Sequence, residues 1–169
     1  MPLILSIIFI ITAILFVVYG IYATKSGAPF WPTGRKKVKQ MIQLAELTKD
    51  DVVMDLGSGD GRIVRAAAPY VTRAIGIEIN PVLHYWALFL RLCSPYKKQM
   101  IFEQTNLWKT DLSEIDVLFL FFMPDKMEKL HQKIKKEMKP GSRIVSNIFQ
   151  FPGWSIVKKH DMIYVYQLS

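Results

Sequence analysis

The sequence has little of the chemistry that marks many enzyme classes. Its single cysteine, Cys93, excludes an internal disulfide and is typical of a reducing compartment. The 169 residues contain no internal repeat and no low-complexity tract, and their number corresponds to about one domain. We assign Cys93 no catalytic role, predict no metal site, and find no residue that is recognisable as a dedicated catalytic acid or base.

Charge is absent from the start of the chain. Residues Leu3 to Ala23 contain no charged side chain and are almost entirely aliphatic or aromatic. At about 1.5 Å per residue, such a helix spans the roughly 30 Å hydrocarbon layer of a bilayer. A cleaved signal peptide would instead need a positive segment before a shorter apolar run. We therefore predict one N-terminal transmembrane helix, with residues 1–24 as a retained anchor.

Acidic residues are also missing before Glu46, whereas residues 1–45 contain five Lys and Arg, all after the apolar run. The positive-inside rule therefore predicts a single-pass membrane protein with its remaining domain in the cytoplasm. Residues 126–143 form a second basic stretch within a net charge of +8. Anionic lipid headgroups would attract both stretches, although the second could equally be a solvated helix face. Because the anchor explains the charge, we expect the lipid bilayer as a partner and no nucleic acid.

The most informative stretch is residues 52–62, an apolar strand followed by glycines at alternate positions from Gly57 onward. Glycine permits a tight turn and close approach of a ligand to the main chain. The dinucleotide fingerprint requires a third glycine at the position that Arg62 occupies here. The spacing after Asp55 instead resembles motif I of class I S-adenosylmethionine-dependent methyltransferases.

A second acidic residue agrees with this interpretation. Glu78 ends the next apolar strand, 23 residues after Asp55, near the offset at which a carboxylate meets ribose hydroxyls. A carboxylate can accept a hydrogen bond from both hydroxyls at once. The alternative is an ordinary strand–helix–strand turn with two surface acids.

The rest of the chain alternates between strand and helix patterns and ends in two β-rich runs too close for a helical crossover. We predict five strands and a terminal antiparallel hairpin. The predicted strands after the first are 74–79, 99–105, 116–122, 143–149, 154–159 and 162–168, and the predicted helices are 35–47, 63–68, 82–92 and 126–138. Thr33 is predicted to cap the first helix, and Asn80 the third. Within the third helix, which is apolar nearly all round, burial is the preferred prediction for Trp86 and Phe89, with contact of one side with the bilayer as the alternative.

Four stretches resemble one family, the membrane-anchored lysine methyltransferases. These are Pro29-Phe30-Trp31-Pro32-Thr33, the motif from Asp55 to Val64, Gly76-Ile77-Glu78-Ile79-Asn80-Pro81 and Asn106-Leu107-Trp108. The family includes mitochondrial enzymes that act on the ATP synthase c subunit and the adenine nucleotide translocase, together with prokaryotic relatives. This chain departs from its pattern at Asn106, which is often Asp, and at Phe121-Phe122-Met123-Pro124, which replaces smaller residues.

The resemblance implies an α/β fold with the class I methyltransferase (Rossmann-like) sheet, and S-adenosyl-L-methionine as cofactor. Residues 25–48 would be a linker and pre-domain helix, and residues 49–169 the methyltransferase domain. The cofactor-binding residues would be Asp55, Leu56, Gly57, Ser58, Gly59, Asp60, Gly61, Glu78, Ile79, Asn80, Asn106 and Leu107. The linker residues Phe30, Trp31, Pro32 and Thr33 would contact the substrate. We expect a monomer.

For the reaction, we predict methylation of a lysine on a membrane protein. The attacking amine must be neutral, and desolvation lowers the pKa of a lysine from about 10.4, so an apolar channel can replace a base. Phe122 and Pro124, with Phe121, would line that channel, with core packing as the alternative role for these side chains. Two other functions stay open: methylation of a lipid or quinone, and cofactor binding without turnover.

Overall fold

A computed structural model describes residues 4–7, 9–14 and 32–169. The chain divides into two compact units, Met1–Trp31 and Pro32–Ser169, and in the first unit residues 4–7 and 9–14 are helical. No helix in the described ranges combines the length and the apolar character needed to cross a membrane. Most of the predicted anchor, residues 3–23, and the linker residues Phe30 and Trp31 lie outside the described residues.

The second unit is an α/β domain. Its strands are β1 (Val52–Leu56), β2 (Arg73–Glu78), β3 (Met100–Gln104), β4 (Val117–Leu120), β5 (Arg143–Asn147), β6 (Lys158–His160) and β7 (Ile163–Gln167). Its helices are α1 (Arg35–Ala45), α2 (Arg62–Ala67), α3 (Pro81–Leu92) and α4 (Pro124–Glu137), with short 3-10 turns at Ala68–Tyr70 and Leu107–Lys109.

The strands form one mixed sheet in the order β3-β2-β1-β4-β5-β7-β6. Strands β1 to β5 pair in parallel, and β7 lies antiparallel between β5 and β6. The predicted number and order of strands, including the inserted antiparallel hairpin strand, are therefore confirmed, but the strand predicted at 154–159 begins only at Lys158, since 154–157 are irregular. All four residues of β4 are buried, as expected for an apolar strand in the middle of a sheet that helices cover on both faces.

Strand alternation divides the core into two layers, one on each face of the sheet. On one face, Val53 and Phe119 pack with α1 and α2 through residues such as Met41. On the other face, Leu118 and Leu120 pack with the apolar stripe of α4. Because β1 and β4 contribute to both layers, the carboxyl ends of these two strands are held firmly between them.

Two local predictions are wrong. Thr33 does not cap α1. The N-cap residue is Gly34, which has no side chain that could accept a capping hydrogen bond. Trp86 and Phe89 are not buried, since 51% and 53% of their surfaces are exposed. The reason is topological: α3 packs against β2 and β3, and β3 is an edge strand, so the described residues cover only its inner face, which includes His84.

Candidate functional site

The turn between β1 and α2 is built from glycines in the left-handed region. Gly57, Gly59 and Gly61 have φ values of 82°, 55° and 74°, a conformation that costs other residues about 1–2 kcal/mol. The N–H groups of Gly57 and Ser58 both donate to the carbonyl oxygen of Ile77, each at 2.9 Å. These bonds fix the turn against the carboxyl end of β2.

The glycines differ in what surrounds them. A Cβ on Gly61 would lie 2.5 Å from the ring of Phe102, and one on Gly76 would lie 2.7 Å from the same ring and 2.8 Å from Ser58 Oγ. A Cβ on Gly57 would meet nothing within 4 Å. Gly61 and Gly76 are therefore required by packing, whereas Gly57 turns bare backbone toward open space where a ligand can approach.

Glu78 connects this turn to the next helix. Its side chain is 8% exposed; Oε2 accepts a hydrogen bond from the N–H of Gly59 at 2.8 Å, and Oε1 accepts one from the N–H of Asn80 at 2.8 Å. A carboxylate has about four acceptor positions, so capacity remains for two ligand hydroxyls. The ribose contact of Glu78 stays a prediction, with which the buried carboxylate beside the glycine turn is compatible.

Asp55 has a different environment. Its carboxyl group is buried at the end of β1, and burial, together with the charges of Glu78 and Asp60, raises its pKa to about 8. Asp55 is therefore mostly protonated at neutral pH in the protein without ligand, and it can donate a hydrogen bond.

Asp60 is paired with two arginines. Arg62 donates to it through Nε and a terminal guanidinium nitrogen, both at 2.9 Å, and Arg65 lies near the same carboxylate. Burial alone would raise the pKa of Asp60, but the hydrogen bonds and charges of the arginines lower it below the usual value. Arg62 also donates to the backbone oxygen of Thr33 at 2.7 Å. Asp60 thus orients Arg62, and Arg62 holds the segment before α1.

The remaining predicted cofactor residues border the same end of the sheet. Asn80 caps α3, accepting hydrogen bonds from two backbone N–H groups, and Ile79 is half-buried beside it. Asn106 Oδ1 accepts a hydrogen bond from the N–H of Trp108 at 3.0 Å, which leaves the NH2 group of Asn106 to donate to the adenine ring of a bound cofactor. Leu107 packs against the core with part of its surface accessible. These residues and the buried Leu56 follow or end strands β1, β2 and β3 at the same edge of the sheet, and their contacts with the cofactor stay predictions.

The residues predicted to line the substrate channel follow β4, the strand that pairs with β1 beside the glycine turn. Phe121 follows β4, is half-buried, and meets Phe149 with ring centroids 5.9 Å apart. Phe122 is only 2% exposed and packs edge-on against Trp108, while Pro124 is exposed at the start of α4. Phe122 therefore packs in the core, which was the alternative role for it, and of the three residues only Phe121 and Pro124 are accessible.

Two buried polar atoms near these strand ends have no hydrogen-bond partner among the described residues, Ser58 Oγ and Asn147 Oδ1. Ser58 belongs to the glycine turn, where a bound ligand could supply the missing partner. Asn147, the last residue of β5, was not among the predicted site residues. The only signal for it was the polar pair Ser146-Asn147 between apolar residues inside the predicted strand 143–149.

Thr33 joins the two parts of this edge. Its backbone oxygen accepts from Arg62, and its Oγ1 lies 3.3 Å from Asn147 Nδ2. Pro32 precedes it and is exposed. The described part of the predicted substrate segment therefore lies between the glycine turn and the end of β5.

Comparisons with known proteins show the family of the chain. The family model described as the ANTKMT methyltransferase domain matches residues 55–158. A protein-lysine N-methyltransferase of Saccharolobus islandicus is 36% identical over 138 residues, which cover 79% of this chain and 86% of that protein. Lysine N-methyltransferases of the ATP synthase c subunit from Xenopus laevis and Homo sapiens are each 31% identical over 83% and 75% of this chain. The match spans only 64% and 54% of those two longer relatives.

A solved structure has the same fold. The crystal structure of an RNA methyltransferase from Salinibacter ruber in complex with S-adenosyl-L-homocysteine is 33% identical, with a TM-score of 0.77. The match covers 82% of this chain and 94% of that one. The ligand in that structure is the demethylated form of the cofactor predicted for the glycine turn.

Proposed function

Because the chain belongs to the ANTKMT methyltransferase domain family, an S-adenosylmethionine-dependent group that includes protein-lysine N-methyltransferases, we propose that it methylates a lysine on a membrane protein at the bilayer surface. The observation that favours this location is the exposed apolar face of α3, next to the cofactor residues. The family membership supplies the enzyme class and the cofactor. The membrane and the acceptor are the proposed part.

The geometry suits transfer to a neutral amine. S-adenosylmethionine supplies an electrophilic methyl group on a sulfonium. In this chain, the open backbone at Gly57 and the carboxylate of Glu78 would hold the cofactor, while Phe121 and Pro124 offer an apolar surface beside it. An apolar environment disfavours the ammonium form of lysine, and correct positioning then provides most of the rate.

The outer face of α3 is unusually apolar for an exposed surface. Its exposed side chains are Val82 at 75%, Tyr85 at 65%, Trp86 at 51%, Phe89 at 53% and Leu92 at 68%. Contiguous exposed apolar surfaces mark interaction sites, and Tyr and Trp are enriched at the headgroup level of membranes. The exposed Lys97 and Lys98 follow the helix and would be attracted by anionic headgroups. A bilayer surface fits this combination of apolar, aromatic and basic side chains.

The position of α3 relates this surface to catalysis. The helix starts at Pro81, three residues after Glu78, so contact between α3 and headgroups would hold the cofactor site near the membrane surface. A lysine at the edge of a membrane protein would then be within reach. Residues 3–23 remain our proposed anchor, with the domain on the cytoplasmic side as the flanking charges favour.

A labelling experiment tests the acceptor. Membranes incubated with the full chain and methyl-labelled S-adenosylmethionine are separated into protein, lipid and RNA, and the protein is hydrolysed in acid. We expect label in methyllysine. Label confined to lipid would favour the lipid or quinone alternative. Label confined to RNA would favour the activity for which the Salinibacter ruber structure is named. No label in any fraction would favour cofactor binding without turnover.

The membrane contact can be measured with the natural thiol. Cys93 is exposed at the C-cap of α3. A spin label there, on the full chain in lipid nanodiscs, should collide more with oxygen and less with a water-soluble nickel complex than a label introduced by Asp50→Cys in a Cys93→Ser background. Asp50 is exposed before β1, at the opposite edge of the sheet from the cofactor turn and outside both basic stretches, and serves as the control. Equal accessibility at both positions would refute the contact at α3.

The anchor has its own test. Carbonate-washed membranes should retain the full chain, and protease added on the cytoplasmic side should digest the domain. Release of the protein by carbonate would refute the anchor, and protection from the protease would refute the orientation.

A further inference from the structure

Asn147 has an unusual environment for a buried amide. Its side chain is 3% exposed at the end of β5, and its Nδ2 lies 3.3 Å from Thr33 Oγ1. Its Oδ1 is buried and has no hydrogen-bond partner in the described part of the chain. Buried acceptors are nearly always paired, so an unpaired one at a strand end suggests a partner that binds there.

The sheet register places Asn147 in line with the cofactor turn. Leu56 of β1 pairs with Leu120 of β4, which pairs with Ser146 of β5. The next residues along the three strands are Gly57, Phe121 and Asn147. Neighbouring strands are about 4.8 Å apart, so the backbones at Gly57 and Asn147 are separated by roughly 10 Å, with Phe121 between them. A methyl donor at Gly57 and an acceptor at Asn147 would meet over the end of β4.

The chain after Asn147 has a conformation that fixes this residue. Ile148 has φ of 74°, which is rare for a β-branched residue and persists only where the surroundings enforce it. Its N–H donates to the oxygen of Met162 at 2.7 Å, so the hairpin holds the turn. The turn also brings Phe149 against Phe121. Asn147 therefore sits on a rigid support beside an aromatic wall.

We infer that Asn147 Oδ1 is the binding group for the acceptor amine, accepting a hydrogen bond from the ε-amino group of the substrate lysine. This inference rests on the proposed lysine methylation. A neutral amine has two N–H donors and one lone pair, so donation to Asn147 would leave the lone pair free to attack. The N–C bond would form as the S–C bond to the methyl group breaks, S-adenosyl-L-homocysteine would leave, and the methylammonium product could release a proton to water. The uncharged amide matters, because a carboxylate in the same place would stabilise the ammonium form and raise the pKa of the lysine.

Variants at this position test the inference with the full chain and the membrane preparation used for labelling. Asn147→Ala should lower kcat/KM for methyllysine formation by about tenfold, as expected for a lost hydrogen bond with some misorientation, and leave cofactor affinity within about twofold. Asn147→Asp should move the rise of activity with pH to higher pH. A role limited to packing would lower the melting temperature without moving the pH profile.

Ser146→Ala is the matched control. Ser146 Oγ donates to the backbone oxygen of Phe149, so this variant removes a buried hydrogen bond from the same turn and retains Asn147. It should lower stability and leave the pH profile unchanged. Methyllysine formation by Asn147→Ala at the wild-type rate, or an unshifted pH profile for Asn147→Asp, would refute the inference alone. Absence of methyllysine with the unmodified chain would refute the proposed function, and this inference with it.

Discussion

The role of Glu78 gives the sharpest prediction for the cofactor site. Each carboxylate oxygen of this residue accepts one backbone N–H at 2.8 Å, from Gly59 and from Asn80. Glu78→Ala would remove both bonds and leave the two N–H groups without their acceptor. It would also remove the proposed acceptor for the ribose hydroxyls. The variant should therefore lose both stability and cofactor affinity.

The two losses have separate magnitudes. A hydrogen bond to a charged group contributes about 1.5–3 kcal/mol, so loss of one ribose bond corresponds to a dissociation constant that is roughly 10- to 150-fold larger. Without cofactor, the two orphaned N–H groups should lower the free energy of unfolding by about 1–3 kcal/mol each, less where water replaces the carboxylate. The affinity loss should exceed what partial unfolding explains. The two are separable, because the stoichiometry of a calorimetric titration reports the folded fraction.

The assay combines calorimetric titration with S-adenosyl-L-homocysteine and thermal unfolding in the absence of ligand. Glu103→Ala is the matched control, since Glu103 is an exposed glutamate on the neighbouring strand β3 and should change neither quantity by much. Wild-type affinity in Glu78→Ala would refute the ribose contact. A wild-type melting temperature would refute the structural role of the two backbone bonds.

Two further predictions concern the same turn. The pKa of Asp55 is raised from its usual 3.8 to about 8, so the folded protein binds a proton that the unfolded chain has released between those values. Its stability should therefore fall as pH rises from about 4 to 8; Asp55→Asn should flatten this dependence in urea unfolding without cofactor, and parallel curves would contradict the raised pKa. Gly61→Ala should lower the melting temperature more than Gly57→Ala, because only the former meets a phenyl ring, while Gly57→Ala should chiefly weaken cofactor binding; the reverse order would contradict the assigned roles.

Much of this architecture could be predicted from the sequence because its determinants are local. Glycines at alternate positions after an apolar strand require a tight turn, and an acid at the end of the next strand must lie beside that turn in a parallel sheet. The short separation of the last two strands requires a hairpin. The structure has the expected turn, the expected position of Glu78 and the expected hairpin, and the comparisons confirm the family and the cofactor.

Other features depend on contacts between distant residues and could not be predicted. The exposure of Trp86 and Phe89 follows from β3 being the edge strand, which the composition of α3 does not reveal. Thr33 has the residue type of a helix cap but contacts Asn147 instead. The left-handed conformation of Ile148 has no signal in its residue type, since isoleucine is among the residues least expected there. The environment of Asn147 depends on the contact with Thr33 and on the conformation of Ile148.

The position of Thr33 has a consequence for how substrate and cofactor are coordinated. Its backbone oxygen is held by Arg62, which Asp60 orients within the glycine motif, and its side chain contacts Asn147. A substrate that displaces Thr33 would therefore disturb Arg62 next to the cofactor turn. This link requires no movement of the sheet, because Thr33, Arg62 and Asn147 are joined by side chains and turns at one edge.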